Sequence, residues 1–148
     1  MLTRYLPFVF VLLAANVFAA SQQVFEATCS GAKFRVTAVN NGHPLDNTYV
    51  LSAVTVAGPR ELFKGEDGGW FHAACIPAKD GKSILLFQSY CGGSGCLEGK
   101  YGAVEPSSLK VVLRPSPKNV ENNKQASALL GFTAPHLGNY KGTFCCGE

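Results

Sequence analysis

Six cysteines, Cys29, Cys75, Cys91, Cys96, Cys145 and Cys146, constrain this chain of 148 residues more than any other feature. Their meaning depends on where the chain folds. Thiols stay reduced in the cytosol and pair in oxidising compartments. Whether the chain is exported therefore comes first.

The N-terminus reads as an export signal. Met1-Leu2-Thr3-Arg4 carries one positive charge, and an apolar run from Tyr5 to Ala15 follows, broken only by Pro7. Val17 and Ala19 then offer the small side chains a signal peptidase accepts. The pattern predicts cleavage after Ala19, leaving 1–19 as a signal peptide and 20–148 as a single domain. The apolar run falls short of the roughly 20 residues that span a bilayer, so stable membrane insertion is not expected. The destination is the periplasm or the extracellular space.

All six cysteines lie beyond the cleavage point, and an even number in an exported chain reads as three disulfides. Cys91 and Cys96 close the glycine-rich ring Cys91-Gly-Gly-Ser-Gly-Cys96. Cys145 and Cys146 are adjacent. A bond between neighbours distorts the peptide joining them, so each is expected to pair elsewhere, with Cys29 and Cys75. That pairing ties the C-terminal tail to both the N-terminal strand and the middle of the sheet.

The mature chain is long enough to bury one core. One of the 13 basic residues, Arg4, leaves with the signal, so 12 Lys and Arg face 10 Asp and Glu. This balance is too even, and the basic residues too scattered, to indicate nucleic acid.

Hydrophobic patterning gives strand after strand. Lys33 to Val39 alternates, with Phe34, Val36 and Ala38 on one face, the period of a half-buried strand. Val24–Cys29, Tyr49–Ala57 and the short Glu61–Phe63 are further strands, and Gly58-Pro59 reads as a turn. From Trp70 to Pro115 four strands follow with short connections, one of them the hairpin signal Asp80-Gly81. The predicted fold is mostly β: a small antiparallel meander or sandwich with a blade-like four-stranded unit over 70–115. Val120 to Leu130 is the one predicted helix. Asn122 or Asn123 is placed at its start and Gly131 at its C-terminal cap.

The loop from Tyr90 to Tyr101 is the candidate binding site. Its staple and glycines suit a rigid recognition element, and Tyr90, Ser94, Glu98, Lys100 and Tyr101 supply aromatic and polar contacts of the kind found at interfaces. Ser94 lacks the full Gly-x-Ser-x-Gly elbow of a hydrolase nucleophile. The Cys91/Cys96 spacing is not that of a thioredoxin-like redox pair. His43, His72 and His136 lie far apart in sequence with no metal-ligand spacing. No catalytic residue, cofactor or metal is therefore expected. In size, cysteine content and strand pattern the chain resembles small exported inhibitors and immunity proteins. The likeness is of class, so it carries no functional residue across. It implies a non-enzymatic protein that binds a protein partner. A small cell-envelope hydrolase, or a structural envelope domain, is the alternative.

Overall fold

Two antiparallel sheets and a helix form three layers in the computed structural model, which describes residues 21–42, 46–65, 68–91 and 99–146. The first sheet runs in chain order: β1 (Ser21–Cys29), β2 (Ala32–Asn40), β3 (Asn47–Thr55) and β4 (Gly58–Gly65). The second contains β5 (Gly68–Pro77), β6 (Ser83–Cys91), β7 (Lys100–Glu105), β8 (Lys110–Leu113) and β9 (Thr143–Cys145), in spatial order β8-β7-β6-β5-β9. The expected four-stranded meander is β5 to β8, and β9 adds a fifth strand at its edge. The helix α1 spans Asn119–Leu130, and a short 3-10 turn covers Leu137–Asn139.

Alternation decides the layers. Phe34 and Val36 of β2, Leu51 and Ala53 of β3, Phe71 and Ala73 of β5, and Leu85 and Phe87 of β6 all point between the sheets and are fully buried. The rings of Tyr49, Phe63, Phe71 and Phe87 pack there with centroids 4.9 to 6.2 Å apart. Offset aromatic pairs at this separation add to the area they bury. The alternate residues of the second sheet, Ala74, Ile76, Leu86, Tyr101 and Ala103, face the other way and pack on Ala126, Leu130 and Leu137.

Several expectations change. The disulfide Cys29–Cys75 joins β1 to β5 and so staples the two sheets together. Cys145 and Cys146 bond to each other, not to Cys29 and Cys75. The tail has no free partner to reach, because the staple between the sheets has taken both. It is held instead by β9, which pairs with β5, and by the Cys146 N–H, which donates to the Phe71 carbonyl at 3.0 Å. Two disulfides are present among the described residues, and the pairing of Cys91 with Cys96 lies outside them.

Pro59 does not end the strand. It sits in β4 opposite Val54, and β4 is an edge strand, where a missing N–H breaks no ladder. The β1–β2 connection is Ser30-Gly31, with φ of 47° and 82°. Positive φ at both central residues is the type I′ geometry that matches strand twist in a two-residue hairpin.

The helix ends as predicted: Gly131 adopts φ 83° and donates to the Ser127 carbonyl. Its start differs. Lys118 is the N-cap, without a side-chain bond, and Asn122 lies one turn inside and fully buried. The reason is in β7. The short β8 pairs only with residues 103 to 105, leaving the Tyr101 backbone without a strand on that side. The Asn122 amide fills the gap. Its Oδ1 accepts from the Tyr101 N–H at 2.6 Å, and its Nδ2 donates to the carbonyls of Tyr101 at 3.0 Å and Arg114 at 3.3 Å.

Candidate functional site

One end of the sandwich combines the features of a recognition surface. The ladder shifts register between Gly68 and Phe71 at the start of β5. Such an irregularity re-aims a side chain out of the alternation, and Trp70 accordingly stands 56% exposed. It is the one tryptophan of the chain. With Phe25, Asn40, Asn47, Tyr49 and Cys146 it lines an open groove of about 720 Å³ between the free edge of β1 and the β5–β9 edge. None of the residues lining this groove carries a charge. Aromatic faces and side-chain amides without a charge suit a contact surface that is desolvated at low cost. The Asn40 Nδ2 donates to the Asn47 Oδ1 at 2.9 Å, which fixes the amides across the β2–β3 ends.

The two strands that lead into and out of the loop between Cys91 and Gly99 meet the sheet at the same end. Cys91 pairs with Gly68, two residues before Trp70, and Lys100 pairs with Ser89 across the return strand. Of the residues expected to contact a partner, Lys100 is half-buried, and Ser94 and Glu98 lie outside the described residues. Tyr90 and Tyr101 are both buried, at 7% and 5% exposure. They flank the loop in sequence, but strand alternation turns them onto the helix-facing side of the second sheet. Their role there is to anchor the C-terminal segment.

That anchor is a polar cluster. The Tyr90 hydroxyl donates to the Gln88 Oε1 at 2.6 Å, and the same oxygen accepts from the Leu137 N–H at 2.9 Å. The Tyr90 oxygen also meets His136 Nε2 at 3.0 Å. Tyr101 donates to the Pro135 carbonyl at 2.9 Å. Burial holds the Tyr90 phenol well above its ordinary range, and the neighbouring Tyr101 adds to the rise, so it stays a neutral donor. Gly99 packs so closely on this cluster that a β-carbon would come within 2.6 Å of Gln88 and 2.7 Å of Tyr90.

His72 joins the cluster from β5. Its Nδ1 lies 3.2 Å from the Cys145 carbonyl, and its ring meets Tyr90 edge-on at 5.5 Å. Burial pushes its pKa down, the Cys145 carbonyl opposes that shift, and the charge of His136 adds to the lowering. Among the described residues the partners of the two imidazoles are thus a carbonyl and a phenol. In sequence the histidines lie far apart. His72 and His136 meet because β9 and the 3-10 turn bring the tail back onto β5, a pairing with no local sequence signal.

The chain matches no family model, no curated protein and no solved structure.

Proposed function

We propose that this chain is an exported, non-enzymatic binding protein, inhibitor- or immunity-like, which meets a protein partner with the end of the sandwich that carries Trp70 and roots the stapled loop. The observation that carries the reading is the exposed Trp70 beside an uncharged groove of about 720 Å³. Tryptophan is the residue most enriched where a few side chains dominate binding energy. Export is read from the N-terminal signal. It agrees with the disulfide between the sheets, of a kind that persists in oxidising compartments. Every described residue of β1, Ser21–Cys29, lies beyond Ala19. No helix among the described residues is long and apolar enough to cross a membrane.

The burial of Tyr90 and Tyr101 changes which residues test this reading. Replacing them damages the fold, whereas Trp70→Ala removes an exposed ring and should leave stability within about 0.5 kcal/mol of wild type, as for other surface changes. Wild type and W70A, each with the signal removed, serve as paired baits on envelope extract, with a Glu98→Ala, Lys100→Ala double variant to probe the loop root. A partner held by wild type and lost on W70A supports the reading. The single tryptophan then reports directly, since its fluorescence should shift to the blue when the purified partner buries it. Equal recovery of every bound protein by all three baits refutes it.

A further inference from the structure

We propose that His72 and His136 form a two-histidine site for a borderline divalent transition-metal ion, with Cu(II) held more tightly than Zn(II).

Tyr90 has one hydroxyl proton. Gln88 Oε1 is an acceptor only, so that proton lies in the 2.6 Å bond to it. The Tyr90 oxygen therefore accepts from His136 Nε2 at 3.0 Å, which puts the His136 proton on Nε2 and leaves Nδ1 with a bare lone pair. The Cys145 carbonyl is likewise only an acceptor. The His72 proton is then on Nδ1, and Nε2 is bare. Each ring is held in one tautomer by a neighbour on its far side, the arrangement that orients imidazole ligands in metal sites.

The two bare nitrogens converge. A β-carbon on Gly138 would lie 3.2 Å from His136 Nδ1 and 3.4 Å from His72 Nε2. Gly138 is exposed and carries no side chain, so this space is open to solvent. His72 is anchored from β5 and His136 by its Nε2 bond to Tyr90, so a metal ion seated off the Gly138 backbone would draw the two facing nitrogens together to bonds of about 2.0 to 2.1 Å with both anchoring hydrogen bonds kept. Two neutral nitrogen donors suit copper, nickel or zinc, with Cu(II) the strongest by the Irving–Williams order. Water completes the coordination.

The probe is Cu(II) alone, titrated into the mature protein and read by calorimetry and electron paramagnetic resonance. Wild type should take up one ion with nitrogen couplings from two imidazoles. His136→Gln retains a donor for Tyr90 at an exposed position, and should weaken that site at least about tenfold. Gly138→Ala keeps both ligands but places a methyl between them, and should weaken it similarly. Its φ lies outside the left-handed region, so alanine is compatible with the backbone. His43→Gln should bind as wild type does. Circular dichroism confirms that each variant is folded. No uptake by wild type, or wild-type affinity in both H136Q and G138A, overturns the proposal, as does an equal loss in H43Q.

Discussion

Replacing Asn122 by alanine should cost more than almost any other single polar substitution in this protein. The side chain is fully buried, and it completes the Tyr101 backbone where β8 is too short to do so. Alanine leaves the Tyr101 N–H and carbonyl without partners in a site 5% exposed. Each buried backbone group so orphaned costs about 1 to 3 kcal/mol. The Arg114 carbonyl belongs to an exposed residue and can turn to water. Alanine is the better helix former and returns about 0.5 kcal/mol. The net loss is about 1.5 to 5.5 kcal/mol. In a domain of this size each kcal/mol lowers the melting temperature by about 3 to 5 °C. Far-UV circular dichroism is the better probe in urea, because Trp70 is already exposed and reports unfolding weakly. Asn122→Asp sharpens the test. It keeps the acceptor but turns a second carboxylate oxygen towards the carbonyls of Tyr101 and Arg114, so it should be destabilised at pH 7. It should recover in part as the carboxyl protonates on acidification. An N122A protein within about 0.5 kcal/mol of wild type would show that Asn122 does not complete the β7 edge, and the account of this helix would be wrong.

Two further outcomes concern stability. Removing the inter-sheet staple with Cys29→Ser and Cys75→Ser frees a loop of sequence separation 46. The chain-entropy relation gives about 4 kcal/mol for this closure, to be read from urea midpoints of the double variant, and a loss below about 1 kcal/mol would contradict the estimate. Stability should also fall with acid through His72. Its folded pKa is depressed below 6.5, chiefly by burial, so the unfolded chain binds its proton first. The stabilisation is complete above 6.5 and is lost as pH falls through the folded value. Urea midpoints with chelator present should therefore drop between neutral and mildly acidic pH, and less so in His72→Gln.

How much of this was legible in advance depends on the distance over which each feature is specified. The alternation of Phe34 and Val36, the Asp80-Gly81 hairpin and the Gly131 cap are written within a few residues, because period and backbone freedom are local properties. All three appear in the structure. The edge status of β4, which allows Pro59 within a strand, depends on a sheet's position and has no such local sign.

The cysteines show the same division. Their number, in a chain whose N-terminus reads as an export signal, points to disulfides in a β-rich domain. Their pairing did not follow, since chain separation says nothing of which strands face each other across a sandwich. Stacking the sheets put Cys29 opposite Cys75 and left Cys145 to bond its neighbour. The same packing turned Tyr90 and Tyr101 inwards, released Trp70 at the β5 irregularity, and brought His72 to His136. Such contacts come from the sum of many weak burial terms over the whole core, which no short stretch of the chain contains.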